Sequence, residues 1–307
     1  MRRLALVSLL LVTVAASAGA AISNPIRKGF NVAEGGTLTI DASLGDIQIV
    51  SGGTGVAVEV LREARTSSQS KADDLFRDYE VSVAQNGNNV DITMPRQHND
   101  WHFFDFGDPI SIKFNVRVPS RYNVNVKTSG GDISVSSVTG TVEAHTSGGN
   151  IKLATVNGPA NARTSGGDIE VVGTTGPADV RTSGGSITIQ HAGGEVKAHT
   201  SGGSIRVDEA LAAIDASTSG GSIKANFTVQ PKGNTRLATS GGNVSVSLPS
   251  NVNVDLDAHT SGGGVESDLP VTTVGKQSDS TLVGKINGGG PQLVLRSSGG
   301  EIRVKRQ

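Results

Sequence analysis

The sequence predicts an all-β fold, a single-stranded parallel β-helix or solenoid in which successive turns of one chain stack on each other. Two patterns predict it. The motif Thr-Ser-Gly-Gly recurs at a constant interval through the middle of the chain, and apolar residues alternate with polar ones between the motifs. The composition agrees, because 41 of the 307 residues are glycine while aromatic residues make up only 3%. Such a chain cannot build a thick core of bulky side chains, so thin layers of Val, Ile, Ala and Thr are expected.

Residues 1–20 have the features of a secretory signal sequence. Two arginines precede an apolar run from Leu4 to Val14, and small residues offer cleavage after Ala18 or Ala20. The apolar run is shorter than the roughly 20 residues that a membrane-spanning helix needs. We therefore expect an exported mature chain, residues 21–307, without a transmembrane segment. Its expected location is the periplasm, the outer membrane surface or the extracellular space.

The mature chain is expected to form one domain, which begins with an irregular capping region at residues 30–127. Alternation of apolar residues predicts strands at Thr37–Ala42, Asp46–Val50 and Val56–Leu61. Lys71–Tyr79 is the one helical candidate, because its apolar residues share a face. A solenoid exposes an open strand edge at each end. The short helix and the aromatic segment Trp101–Phe106 are predicted to cap this edge.

The regular region, residues 128–267, supplies the repeating unit. Each unit is predicted to hold two short strands, such as Asp132–Val135 and Val142–Thr146, with glycine at both corners because it tolerates positive φ. A single unit cannot bury its own apolar row, so the units must stack in turns of about 18 residues. A right-handed coil is favoured. The structural residues of the first four motifs are Thr128, Gly130, Gly131, Ile133, Thr146, Gly148, Gly149, Ile151, Thr164, Gly166, Gly167, Ile169, Thr182, Gly184, Gly185 and Ile187.

Further expectations concern the hydroxyl groups and the breaks in the rhythm. The motif threonines face inward and are predicted to form a ladder, bonded to one another or to the turn backbone. The intervals that end at Thr239 and Thr260 are slightly longer and contain a proline corner, which a loop can absorb. The last interval is too long for one turn, so Asp268–Gly290 is expected to leave the stack. Gln292–Leu295 and Glu301–Val304 are then expected to close it, within a final region at residues 268–304.

These motifs resemble those of the bacterial putative adhesin domain family. The resemblance rests on an early Leu44-Gly45-Asp46-Ile47, on the tandem Thr-Ser-Gly-Gly-Asp-Ile units and on a closing Ile-Asn-Gly-Gly-Gly-Pro at residues 286–291. It covers roughly Phe30 to Val304. It implies a β-helical envelope or surface protein. The family offers no established catalytic residues to carry over to this chain.

One outward row of side chains is basic. The residue before each motif threonine is Lys127, His145, Arg163, Arg181 and His199 in turn. Groups stacked about 4.8 Å apart could bind a repetitive polyanion, such as lipopolysaccharide phosphates or an acidic glycan. The neighbouring row carries carboxylates at Glu143 and Asp179 that can neutralise it. A solvated face of mixed charge is therefore the preferred interpretation, and the polyanion groove is the alternative.

The sequence offers little for catalysis, metals or cofactors, and we predict none of them. Absence of cysteine excludes disulfides, thiolate metal sites and a cysteine nucleophile. Asp132, Asn150 and Asp168 follow the glycine pair on consecutive units, but their spacing differs from calcium-binding repeats, and corner hydrogen bonds are the preferred interpretation. His145 and His199 lie three turns apart, too far to share a metal. A net charge of −1 gives no argument for a nucleic-acid partner.

The aromatic segment holds Trp101, Phe103 and Phe104, which are candidates either for a hydrophobic plug or for an exposed contact platform. Taken together, the sequence predicts an exported, non-enzymatic solenoid that acts as an adhesin or as a cell-envelope interaction or structural protein. Its expected partners are envelope glycans, polyanions or another protein. Two alternatives stay open: a β-helical carbohydrate-active enzyme of the lyase or glycosidase type, and an envelope scaffold that self-associates.

Overall fold

The computed structural model describes residues 21–95, 110–273 and 277–307, and over these residues the protein is all-β with one short helix. The strands form two long sheets, which we call sheet 1, with 16 strands, and sheet 2, with 14. The amino-terminal elements are β1 (Ile22–Ser23), β2 (Ile26–Phe30), β3 (Thr37–Ala42), β4 (Asp46–Ser51), β5 (Val56–Ala64), α1 (Gln69–Asp78), β6 (Ser82–Asn86), β7 (Asn89–Met94) and β8 (Ile110–Val118).

The regular region follows as strands that alternate between the two sheets, with two additional short strands in sheet 1. Its strands are β9 (Asn123–Lys127), β10 (Ile133–Ser136), β11 (Val138–Thr139), β12 (Val142–His145), β13 (Ile151–Leu153), β14 (Val156–Asn157), β15 (Ala160–Arg163), β16 (Ile169–Thr174), β17 (Ala178–Arg181), β18 (Ile187–Ala192), β19 (Val196–His199), β20 (Ile205–Ala210), β21 (Ile214–Thr218), β22 (Ile223–Phe227), β23 (Thr235–Thr239) and β24 (Val244–Leu248). The last six are β25 (Val254–Thr260), β26 (Val265–Ser267), β27 (Thr272–Thr273), β28 (Thr281–Ile286), β29 (Gln292–Ser297) and β30 (Ile302–Arg306). We call a strand of sheet 2, the Ser-Gly-Gly corner after it and the following strand of sheet 1 a rung.

Successive rungs pair in parallel and in register. Ile133 pairs with Ile151, and Ile151 with Ile169, so equivalent residues of neighbouring repeats lie side by side. The register holds across the first of the longer intervals, where Ile223 pairs with Val244. This confirms the predicted parallel stacking and the absorption of the extra residues by a loop. The expected strand boundaries shift slightly, because Asp132 and Thr146 belong to the corners.

The interior consists of aliphatic columns, one from each inward position. The isoleucines that open the strands of sheet 1 are fully buried, and Ala144, Ala162 and Val180 form a matching column in sheet 2. Small and β-branched side chains fill these columns, as is typical of buried strand positions. The core therefore agrees with the aromatic-poor composition.

The motif threonines form the predicted ladder, and their hydroxyl groups bond to the corner backbone. Thr182 is typical. Its hydroxyl donates to the carbonyl oxygen of Gly167 on the preceding rung (2.9 Å) and accepts from the amide of Gly185 (3.3 Å). Each buried hydroxyl is thus satisfied while it fastens one rung to the next.

The second glycine of each motif is required by close approach between rungs. A Cβ atom on Gly149 would lie 1.9 Å from the carbonyl oxygen of Gly131, whereas one on Gly148 would meet nothing nearer than 3.9 Å. Among the second glycines of the motifs, Gly131 alone has a positive φ. The expected reason, tolerance of positive φ, is therefore wrong at most of these corners. It holds at Gly140, in the opposite corner, where φ is +144°.

The residue after the glycine pair forms a second ladder at the same corner. A side-chain oxygen of Asp132 accepts the backbone N–H of Asn150 (2.7 Å), and one of Asn150 accepts that of Asp168 (2.8 Å). Serine continues the pattern, since the hydroxyl oxygen of Ser186 accepts a hydrogen bond from the backbone N–H of Ser204 (3.2 Å). Asp, Asn and Ser are interchangeable here because each offers one acceptor to the next rung.

The amino-terminal end departs from chain order. The rung of β3 and β4 lies between β7 and β8 on one side and β9 and β10 on the other. Antiparallel strands then terminate both sheets: β5 follows β8 with β1 and β2 beyond it, and β6 follows β7. The predicted strands of this region are confirmed, and β5 extends to Ala64.

The short helix begins two residues earlier than predicted. The side chain of Ser68 caps the helix by accepting a hydrogen bond from the backbone amide of Lys71. The buried residues of the helix are Ala72 and Phe76. Arg62 of β5 fixes its carboxyl-terminal end. This side chain is only 7% exposed, donates to the carbonyl oxygens of Phe76 and Tyr79, and lies 5.1 Å from the centre of the Phe76 ring.

The carboxyl-terminal end corrects one expectation. The last rung, β29 and β30, does not close the stack as the motif order predicts. It instead lies between the rung of β23 and β24 and the rung of β25 and β26. The excursion after Asp268 returns as β28, which pairs antiparallel with β25 and ends sheet 2 together with β27.

Candidate functional site

The five predicted basic residues lie side by side on the outward face of sheet 2, and we call them the basic row. Lys127 pairs with His145, His145 with Arg163, Arg163 with Arg181, and Arg181 with His199. Neighbouring members are therefore separated by one strand spacing, about 4.8 Å. The register of the sheet places these groups together although each belongs to a different repeat of the sequence.

The permanent charges of the basic row are only partly neutralised. Arg163 and Arg181 share one carboxylate: the distances from their guanidinium nitrogens to the oxygens of Asp179 are 3.6 and 3.0 Å. Lys127 has no ion pair with any described residue. Three cations thus face one contacting carboxylate, and the row has a net positive charge.

His145 is the most enclosed member of the row. Its Nε2 atom is buried and has no hydrogen-bond partner among the described residues. Burial lowers the pKa of His145 below its ordinary value of 6.5, and the nearby Arg163 and Lys127 lower it further, while Glu143 opposes the shift. His145 is consequently neutral near pH 7. His199 differs, since its Nδ1 atom lies 2.7 Å from the hydroxyl oxygen of Ser217.

A shallow depression of about 270 Å³ runs beside the basic row. It is lined by Glu143, Asn161, Asp179 and Lys197 of the neighbouring row and by Pro159 and Pro177 of the adjacent corner. Asn161 pairs with both Glu143 and Asp179, so amide and carboxylate alternate along the floor. The depression offers acceptors for hydroxyl groups next to the cations that would hold an anion.

The other rows considered from the sequence offer no comparable cluster. Asp132 and Asp168 lie two strands apart, and each has an oxygen engaged by a backbone amide of the next rung. His145 and His199 lie three strands apart. Among the described residues, no group of three or more His, Cys, Asp or Glu side chains could hold a metal ion. Trp101, Phe103 and Phe104 lie outside the described residues.

Sequence reasoning missed a larger groove at the amino-terminal end of sheet 1. Its volume is about 650 Å³, and its polar lining includes Arg27, Gln48, Glu59, Asn115 and Arg117. Glu59 accepts hydrogen bonds from Arg27 (2.8 Å) and Asn115 (3.4 Å), which lower its pKa. These residues come from four strands that are distant in sequence. No local pattern could have predicted their meeting.

No helix among the described residues is long and apolar enough to cross a membrane.

The chain belongs to the Toastrack DUF4097 family, whose model matches residues 36–305. No curated protein matches it. The solved structures to which the chain is similar include three crystal structures. One is a putative adhesin from Bacteroides fragilis, with 14% identity, TM-score 0.42 and coverage of 92% of this chain and 97% of the other. Another is a putative lipid binding protein from Parabacteroides distasonis, with 13% identity, TM-score 0.42 and coverage of 92% and 96%.

The third is a putative cell adhesion protein from Clostridium sporogenes, with 9% identity, TM-score 0.25 and coverage of 93% of this chain and 100% of the other. The family match confirms the resemblance drawn from the repeat motifs.

Proposed function

We propose that this Toastrack protein is an exported, non-enzymatic adhesin-like module that binds an extended polyanion along the basic row. Residues 1–20 are its signal sequence. Residues 21–307 form one right-handed solenoid in which each turn takes about 18 residues. Its site of action is the cell envelope or its outer surface. Acidic envelope glycans and lipopolysaccharide phosphates are the ligand class that this row suits.

The observation that carries the proposal is the regular, incompletely neutralised charge of the basic row. A polymer with evenly spaced anions can contact Lys127, Arg163 and Arg181 in turn, and each contact resembles the last because the strands are evenly spaced. A single exposed ion pair contributes little, but several evenly spaced contacts on one polymer act together. The depression beside the row can receive the polymer's hydroxyl groups.

Binding of a polyanion is also expected to change the protonation of His145. An anion beside the ring favours its charged form, so the bound protein takes up a proton that the free protein lacks at pH 7. Affinity is therefore expected to rise as the pH falls below 6.5. Trp101, Phe103 and Phe104 remain candidates for a second contact surface of the module.

A non-enzymatic role is supported by the structural use of the carboxylates at the Ser-Gly-Gly corners. Glycoside hydrolysis needs two carboxyl groups that face one cleft at about 5–9.5 Å. Asp132 and Asp168 follow the same corner two strands apart, and the same type of residue recurs there in other rungs as a structural acceptor. The packing of the rungs therefore explains why Asp132 and Asp168 lie at these corners.

The test is retention on immobilised dextran sulfate with neutral dextran as the reference matrix. The variant Arg163→Glu/Arg181→Glu reverses two charges of the basic row. The matched control Lys152→Glu/Arg206→Glu makes the same change of charge on the outward face of sheet 1. We expect the first variant to elute at much lower salt than the wild type and the control to elute close to it, because steering charges act locally at physiological ionic strength. Equal elution of the two variants would contradict the proposal.

Two further readouts separate the alternatives. Release of reducing ends from the bound polysaccharide would indicate a carbohydrate-active enzyme. Concentration-dependent oligomers in the absence of any retention would indicate a self-associating scaffold.

A further inference from the structure

The position of the last rung has a consequence for contacts between copies of the chain. β29 and β30 occupy a slot whose two walls both precede them in the sequence. One wall is formed by β23 and β24, the other by β25 and β26. The slot is therefore complete before its occupant is synthesised, and without the occupant it would expose edges of four strands.

The slot selects its occupant by the same bonds that join other rungs. The hydroxyl of Ser297 donates to the carbonyl oxygen of Gly242 (2.8 Å), and that of Thr260 donates to the carbonyl oxygen of Gly300 (2.6 Å). The backbone amide of Glu301 donates to the side chain of Asn243 (2.8 Å). Leu293, Leu295, Ile302 and Val304 fill the interior columns. A segment needs small corner residues and this apolar spacing to fit, and the carboxyl-terminal segment of a second copy has both.

A glycine-rich link joins the last rung to the rest of the chain. Asn287, Gly288 and Gly289 all have positive φ, at 49°, 89° and 90°. Glycine adopts many other backbone conformations at low cost, so this link can extend and change direction. Two side-chain hydrogen bonds hold it: the amide of Asn287 donates to the carbonyl oxygens of Ser250 and Val252 (2.9 and 2.8 Å).

We propose that the last rung, residues 291–306, is exchangeable: it can leave its own slot and insert into the slot of a second copy of this chain. The exchanged and unexchanged forms contain the same strand pairs, so they differ mainly in the link and in the entropy of association. A short flexible link gives the intramolecular arrangement an effective concentration on the order of millimolar. Single copies thus dominate in dilute solution. The fraction of exchanged dimers increases where copies are crowded or fold together.

The absence of cysteine from the sequence makes the exchange measurable. Arg236 and Val294 are paired neighbours on the outward face of sheet 2, one on each side of the slot boundary. Adjacent strands place Cα atoms at a distance that a disulfide can bridge. Two single variants, Arg236→Cys and Val294→Cys, are mixed, unfolded and refolded together at high concentration, and then oxidised. When a last rung has been exchanged, residue 236 of one chain lies beside residue 294 of the other, and a disulfide between them joins the two chains.

The control pair lies in the same row of sheet 2. Lys197 and Asp215 are paired neighbours on consecutive rungs of the regular region, where the rungs follow chain order on both sides. Lys197→Cys and Asp215→Cys treated in the same way report random collisions between surface thiols. We expect about tenfold more cross-linked dimer from the 236–294 mixture than from the 197–215 mixture, because exchange holds the two thiols together.

A second measurement covers the unmodified sequence. The double variant Arg236→Cys/Val294→Cys, oxidised within one chain, locks the last rung in its own slot. Light scattering after refolding at high concentration should then find dimers of the wild-type chain and monomers of the locked chain. Equal yields from both mixtures, or equal mass distributions of the wild-type and locked chains, would overturn the proposal. No ligand is used, so failure here leaves the polyanion proposal untouched.

Discussion

The regular region and the two ends of the molecule are built by different rules. From β9 to β24, the strands that pair within each sheet belong to successive rungs. Each rung contacts its neighbours through the same hydroxyl and corner hydrogen bonds. At each end, one rung lies out of chain order. Antiparallel strands terminate both sheets at the amino-terminal end but only sheet 2 at the carboxyl-terminal end, where sheet 1 stops at the parallel strand β26. Repetition therefore specifies how a rung meets the next one. At three of the four sheet ends the stack stops at antiparallel strands, and at the fourth it stops at β26, a strand of only three residues; short or differently oriented edge strands limit the pairing of further strands.

The largest loss of stability is expected in the regular region, where the backbones of neighbouring rungs are in close contact. Gly149→Ala places a Cβ atom 1.9 Å from the oxygen of Gly131, so two rungs must separate. We expect the free energy of unfolding to fall by about 3 kcal/mol in denaturant titrations. Gly148→Ala is the matched control, with a nearest atom at 3.9 Å, and should change stability by about 0.5 kcal/mol or less. Similar losses for both would refute the close-approach explanation.

A smaller and more local effect is expected at the amino-terminal end. Arg62→Met leaves the carbonyl oxygens of Phe76 and Tyr79 without their buried donor. We expect a loss of about 2 kcal/mol, confined to the helix and β1–β2, because charged donors contribute most to such bonds. Hydrogen exchange should accelerate there and stay unchanged in β15–β18. Arg65→Met, at an exposed position nearby, should leave both regions unchanged. Faster exchange throughout the stack would mean that the ends and the middle unfold as one unit.

The hydroxyl ladder gives the next effect. Thr182→Val keeps the shape of the side chain but removes the donor to Gly167 and the acceptor for Gly185. We expect a loss of about 1.5 kcal/mol in thermal or denaturant unfolding. Thr188 points outward from the next strand, and Thr188→Val should change stability by about 0.5 kcal/mol or less. If the two variants are equally stable, the ladder contributes nothing beyond packing.

The smallest effect concerns pH. The folded protein holds the pKa of His145 below 6.5, so the unfolded chain binds more protons between the two pKa values. Stability is therefore expected to fall as the pH drops below 6.5, by at most about 1.4 kcal/mol per pH unit for this one group. His145→Gln should reduce the slope of stability against pH in that range. An unchanged slope would show that His145 is equally easy to protonate in both states.

The sequence is sufficient for the regular region because its signals are local. The recurrence of Thr-Ser-Gly-Gly predicts which residues pair, and the alternation around Ile133 and Ile151 predicts which faces are buried. The same signals fail at the ends. Thr239, Thr260 and Ser297 have equivalent motifs, and nothing in their local sequence says which rung lies between the others. That order depends on the lengths and paths of the connections, such as residues 249–253 and the glycine-rich link.

The candidate site likewise has one part that the sequence predicts and another that it does not. The basic row was predictable because its members occupy one position of the repeat. The groove on sheet 1 was not, since Arg27, Glu59 and Asn115 meet only through antiparallel pairing of strands that are distant in sequence. The low pKa of His145 also depends on burial and neighbouring charges that no residue pattern states.

Two distances measured from one reference position test the order of the rungs. Along the outward row of sheet 2, Lys127 is separated by seven strand spacings from Arg296 and by eight from His259. Spin labels on cysteines introduced at 127 and 296, or at 127 and 259, report these separations by pulsed electron resonance. We predict about 34 Å for the first pair and about 38 Å for the second, at about 4.8 Å per strand. A longer distance to 296 than to 259 would contradict the inserted last rung, and much shorter distances for both would contradict parallel stacking itself.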